Sequence, residues 1–204
     1  MEYGNFIKQK YMKLALKGTK LPLEKEWEKS LIGVQCLFTL NAKLMENAMR
    51  TIEQVDDEFN NRFSKGMFIP FDAKAEKTIP LYLKVEQYLK ISSYIIDMFM
   101  PKLSEPIINA KDEIDNDIYI WFIGNKKVLE DSAEEGKKQI KQIENSLTDC
   151  FKNDQNKITK IKESMNETYN KVNLDVKSII DNFSNALDLE DIIIFDEGVL
   201  NASR

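Results

Sequence analysis

Residues 140–187 read IKQIENSLTDCFKNDQNKITKIKESMNETYNKVNLDVKSIIDNFSNAL, and one apolar pattern recurs in them three times. Ile140, Ile143, Leu147 and Phe151 are followed eighteen residues on by Ile158, Ile161, Met165 and Tyr169, and after eighteen more by Val176, Ile179, Phe183 and Leu187. Eighteen residues make five turns at about 3.6 residues per turn, so the three bands fall on one face of a helix. Asp154 interrupts that stripe between the first two bands, a polar gap where bending or fraying is expected; Val172 fills the matching place in the next interval.

Upstream, Ile114, Ile118, Phe122, Leu129 and Ala133 stay in phase with these bands. Ser104, Glu105 and Pro106 form a helix start. One long, kinked helix from about Pro106 to Leu187 is therefore the expectation, with a break at Gly124-Asn125 as the alternative. Ile118 to Ile123 is apolar on every side, which predicts passage through the thickest layer of helices.

The rest of the chain repeats the helical period. Tyr3, Phe6, Ile7, Tyr11 and Leu14 mark a short first helix that Gly18 ends. From Leu23 to Lys65 the spacing alternates four and three through Trp27, Leu31, Val34, Phe38, Asn41, Met45, Ala48, Ile52, Val55 and Phe59, a heptad seam; Leu37, Leu40 and Leu44 add a second apolar face. Asn41 is the one polar residue on the seam. An Asn there fixes pairing register or, more ordinarily, reaches solvent or a backbone carbonyl. Gly66 to Pro80 reads as an irregular loop carrying Met67, Phe68, Ile69 and Phe71, after which a third, largely buried helix runs from Pro80 to Met100 and stops at Pro101.

The fold class expected is all-α: an elongated helical bundle with two long coiled-coil-like helices and a shorter buried one, forming a single domain over 1–204. Its thick core covers about 23–133, an extended helical arm 134–189 and a short tail 190–204. The length of 204 residues and hydrophobic content of 43% suffice for a sizeable core.

Composition removes several function classes. A net charge of −5 opposes a broad nucleic-acid footprint, and only Arg50, Arg62 and Arg204 among the 29 basic residues are arginine, which weakens bidentate phosphate or carboxylate recognition. The Lys-, Asn- and Ile-rich usage points to an AT-rich genome. Histidine is absent, which takes away the commonest general base and metal ligand. No Gly-rich phosphate loop, Cys-x-x-Cys pair or nucleophile motif occurs. The acidic cluster Asp112, Glu113, Asp115, Asn116 and Asp117 lacks the glycine and terminal glutamate of a calcium loop, so it reads as a solvated helix face. No cofactor, no metal site and no small-molecule substrate are expected, and the chain reads as non-enzymatic. Cys36 and Cys150 lie far apart on apolar faces as buried free thiols, which fits a reducing, cytoplasmic setting. The lysines around Phe6 argue against a signal peptide, so the sequons at Asn166, Asn182 and Asn201 read as incidental; secretion without a classical signal peptide is the alternative. No apolar run reaches the roughly 18 residues needed to span a bilayer.

Leu16-Lys17-Gly18, between a short helix and a long one, resembles over three residues the Leu-x-Gly element that names a family of helical secretion domains in Gram-positive bacteria. That resemblance implies a helical domain of a secreted bacterial protein. Long helices around an apolar middle resemble, in outline, BAR-type membrane-bending bundles and α-helical pore-forming toxins, which implies a membrane role; likeness of fold alone assigns no activity.

Two functions follow as expectations. The first is a protein-protein interaction or scaffold module that binds a helical partner or a second copy through its long apolar seams. The partner-binding residues named for it are Ile158, Ile161, Met165, Val176, Ile179 and Phe183, with Ile193 and Phe195 in the acidic-apolar tail. The second is a membrane-associating or pore-forming protein that uses the apolar loop 67–71, with Phe68 and Phe71 as lipid contacts, and the helix 80–100.

Overall fold

The computed structural model describes residues 9–63, 71–150, 155–165, 177–178, 180–182 and 184–187. In chain order the helices are α1 (Gln9–Leu16), α2 (Glu26–Phe63), α3 (Phe71–Asn109), α4 (Asn116–Cys150) and α5 (Gln155–Ser164). Further helical residues fall between 177 and 187, and no strand occurs among the described residues. Helices α2, α3 and α4 pack against each other as a helical bundle, which is the all-α class that the apolar periodicity predicts. The chain forms two compact units: Met1–Thr39 with Ile96–Glu130 and Asn170–Arg204, and Leu40–Ile95 with Asp131–Tyr169. Each unit takes one stretch of α2, one of α3 and one of α4.

In the first unit, α1 ends as its glycine dictates. The Thr19 amide donates to the Leu14 carbonyl at 3.0 Å and the Gly18 amide to that of Ala15 at 3.0 Å, a Schellman pair closed by Gly18 at φ 69°. Two hydrogen bonds tie this corner to the far end of the chain: Asn182 Nδ2 donates to the Leu16 carbonyl at 3.3 Å, and the Leu21 amide to that of Ala186 at 3.2 Å. Gly33 of α2 marks the tightest approach in this unit, since a Cβ there would lie 2.5 Å from Leu103 Cδ2 and 3.0 Å from Leu187 Cδ1. Leu31, Val34, Phe99, Leu103, Ile107 and Leu187 are buried in this unit.

Helix α3 departs from expectation at both ends. It begins at Phe71 instead of Pro80, and it runs past Pro101 and Pro106 to Asn109. A proline removes one backbone hydrogen bond and crowds the carbonyl four residues back. Here the residues four back, Asp97 and Lys102, are exposed, so the disturbed carbonyls belong to the solvent side while Phe99, Met100, Leu103 and Ile107 stay buried on the other. Apolar burial outweighs the local penalty.

The single helix expected from Pro106 to Leu187 is instead divided. A turn closes α3, with the Glu113 amide donating to the Ala110 carbonyl at 2.9 Å, and Asp115 then caps α4 by accepting the Asp117 amide through Oδ1 at 2.9 Å. The acidic cluster is thus exposed, as expected, but it is a turn and a cap more than a helix face. Ile114, just ahead of the cap, is buried, so the turn itself keeps the apolar phase that had suggested a continuous helix. Gly124-Asn125 does not break α4, which runs on to Cys150.

In the second unit a buried polar cluster joins three helices. Asn41 of α2 accepts a hydrogen bond from the Ser92 hydroxyl of α3 and donates one from Nδ2 to Ser132 Oγ of α4 at 3.2 Å. The more ordinary fate expected for Asn41, solvent or a backbone carbonyl, is therefore not the one observed. Next to it the Ser93 hydroxyl donates to the Ala133 carbonyl at 3.1 Å, and Gly136 gives α3 room, because a Cβ there would stand 2.8 Å from Ser93 Oγ. A small apolar core of Ile79, Leu83, Leu147 and Met165 completes the unit.

Replacing Gly33 by Val should overpack the Leu103 and Leu187 contact and destabilise the protein by about 1–3 kcal/mol, read as a lower melting temperature. Asn41→Leu should cost about 1–3 kcal/mol by leaving the Ser92 hydroxyl without its acceptor. Adding Ser92→Ala to Asn41→Leu should recover part of that loss. Urea denaturation of both single variants and the double measures the coupling, and strictly additive losses would remove the cluster's cooperative role.

Candidate interaction surface

Helix α4 turns two different faces outward and inward. Ile118, Phe122, Leu129 and Ala133 are buried and recur at steps of four, seven and four residues, so they hold the helix against the bundle. At about 100° per residue, Ile120, Ile123, Gly124, Lys127 and Val128 fall on the opposite side. Ile120 is 59% exposed, Ile123 43% and Val128 52%. The expectation that Ile118 to Ile123 would be enclosed on all sides is corrected here: one side is core and the other meets solvent. Nothing lies within 4 Å of the position that a Cβ would take on Gly124, so the face has an open backbone notch at its middle.

Short-range side-chain contacts flank this face. Asn125 Nδ2 donates to the Trp121 carbonyl at 2.8 Å, and Lys126 pairs with Glu130 at 2.5 Å along the same helix. Lys111 sits over the Tyr119 ring, 5.6 Å from its centroid, at the N-terminal edge. Asp117 and Lys127 are exposed, and neither side chain takes part in an ion pair among the described residues.

The residues singled out from the sequence lie elsewhere. Ile158 and Ile161 fall in α5, but their side chains, like those of Val176, Ile179, Phe183, Ile193 and Phe195, lie outside the described residues. Met165 is buried against Ile79, Leu83 and Leu147, and Leu187 is buried near Gly33, so the chain itself covers these two members of the repeat. Phe68 lies outside the described residues, and Phe71 is the first residue of α3 rather than part of a loop. The signal for the α4 face was present in the sequence, since residues 118, 122 and 129 alone already account for a buried stripe. Ile120, Ile123 and Val128 are surplus to it.

Two buried groups could suggest chemistry. Glu86 is buried on α3 and pairs with Lys90, which Glu144 of α4 approaches at 3.4 Å. Burial by itself lowers the Lys90 pKa, but the hydrogen bond and charge of Glu86, with Glu144 behind them, more than offset it, and the net direction is upward. Lys90 is therefore held as a cation, suited to neutralising Glu86 and not to acting as a base. Cys36 is a buried free thiol, and burial pushes its pKa up to about 12. No group of three or more Cys, Asp or Glu placed to hold a metal ion occurs among the described residues, and no described helix is long and apolar enough to cross a membrane.

Comparison with protein-family models, with curated proteins and with solved structures finds no match to this chain.

In a Cys150→Ser background, Cys36 should react with iodoacetamide at pH 8 roughly a thousandfold more slowly in the folded than in the unfolded protein, because so little thiolate is present. The same shift carries a sign for stability. The neutral thiol's contribution is complete below the ordinary value of 9.0 and is lost as pH rises toward about 12. Folded and unfolded labelling rates within tenfold of each other would show that Cys36 is not protected.

Proposed function

We propose that this chain is a non-enzymatic helical interaction module whose docking surface is the outward face of α4, and that it binds another helical surface. The observation that carries this reading is the exposure of Ile120, Ile123 and Val128 on one side of one helix. Apolar area left in water costs about 25 cal/mol per Å², so three such residues together on a rigid helix favour association. On the 140–187 stripe, Met165 and Leu187 are covered by the chain's own residues, whereas the α4 face is exposed.

The absence of histidine from the sequence and the pairing of Glu86 with Lys90 support a non-enzymatic role. The buried free thiol at Cys36 agrees with a reducing cytoplasmic setting. Insertion of the same face into a membrane interface is the competing reading, with Lys126 and Lys127 beside it as headgroup contacts.

A photo-crosslinking benzoylphenylalanine placed at Ile120 in cells that express the protein, with the same group at exposed Asn145 as control, tests this. The expected product is a discrete protein adduct, specific to position 120, whose crosslinked peptide maps by mass spectrometry to an amphipathic helix. Lipid adducts would instead establish the membrane reading, and equal background at both positions would reject an interaction surface on α4.

A further inference from the structure

We propose that the outward face of α4 pairs with the same face of a second copy of this chain, antiparallel about a twofold axis level with Phe122; the inference rests on reading α4 as an interaction surface. Asp117, Ile120, Gly124 and Lys127 follow one another at steps of three, four and three, the spacing of a helix-pairing seam. The order of residue types along it is what selects the partner. It carries an acid at one end, a base at the other, and between them a large apolar side chain and a notch.

A twofold axis level with Phe122 turns this order onto itself. In an antiparallel pair the residues that share a level are those equally far from the axis on opposite sides, so Ile120 meets Gly124 of the second copy and Asp117 meets its Lys127. Each of these contacts occurs twice. Gly124 has no atom within 4 Å of its Cβ position, so the Ile120 side chain of the other copy finds open backbone there. Asp117 and Lys127 are exposed and make no ion pair among the described residues, so both are available for the second copy. A parallel pair in register would set Asp117 beside Asp117 and Lys127 beside Lys127, and that repulsion excludes it.

Ile123 and Val128 then have distinct places. Ile123 lies one residue from the axis level and faces its own counterpart. The two Val128 side chains stand six residues from it on opposite sides, about 18 Å apart along the helices at ~1.5 Å per residue. The contact involves a few turns of one helix from each copy, at the low end of interface sizes, so a weak and reversible dimer is expected.

Sedimentation velocity on the full chain, from about 5 to about 500 μM, should show monomer passing to dimer, a range suited to a small interface. In a Cys150→Ser background, Ile123→Cys should form a disulfide-linked dimer under mild oxidation and Val128→Cys should not. Asp117→Lys and Lys127→Asp should each weaken the dimer about tenfold or more, and the two together should restore it. Gly124→Gln should abolish it while the helical circular dichroism and melting temperature are kept or raised, because the site is open and glycine is a poor helix former. A chain that stays monomeric throughout, a Val128→Cys disulfide as ready as that of Ile123→Cys, or a dimer indifferent to Gly124→Gln would each overturn the pairing. If the chain is monomeric while the photo-crosslinker at Ile120 still captures a helix of a different protein, self-pairing falls and the interaction reading stands. If that crosslinker too gives only background, both fall.

Discussion

The Asn41 amide, held between the hydroxyls of Ser92 and Ser132, is the constraint on which the second unit depends. Apolar packing is tolerant of axial sliding, since a leucine one turn further along still finds an apolar neighbour. A buried amide is not, because any slip leaves its donor and acceptor unpaired in a low-dielectric interior at a cost of about 1–3 kcal/mol. Asn41 therefore sets α2, α3 and α4 against each other at one level. Small residues at the same level, Ser93, Ala133 and Gly136, let the backbones of α3 and α4 approach closely enough for those short side chains to reach.

Much of this architecture was legible in the amino-acid sequence. The seam of α2 announced itself because its apolar residues keep a heptad step from Trp27 to Ala48, and Gly18 announced the end of α1 because few residues but glycine adopt a positive φ without cost. What misled was local chemistry read without its tertiary setting. Pro101 looks like a stop and Pro106 like a helix start, yet both lie inside α3, where the residues four back, Asp97 and Lys102, are exposed and the buried side of the helix outweighs the local penalty. The Asp115 cap was overlooked because Ile114 keeps the apolar phase across the turn. Phase reports which residues face the core; it does not report that the backbone between them is helical.

The α4 face was half legible for a related reason. A segment apolar all around its circumference is ambiguous between complete burial and one exposed side, and composition alone does not decide. The decision belongs to the number of helices available to cover it. Ile118 and Phe122 are buried, whereas Ile120 and Ile123 remain open on the other side. Met165, a candidate on the 140–187 repeat, shows the reverse, as does Leu187 of the same repeat, since both are buried inside the chain.

The bonds from Asn182 to Leu16 and from Leu21 to Ala186 bear on how the protein is made. They join positions as much as 166 residues apart, and the unit that they close takes its segments from the beginning, the middle and the end of the chain. The other unit lies nested in sequence between those segments and is fully synthesised by Tyr169. On a ribosome, then, the inner unit has all its parts while the outer one still waits for its last strip, which carries Leu187 to its place beside Gly33. Vectorial synthesis thus gives the two units an order of completion, and the outer one bears the larger loop-closure entropy.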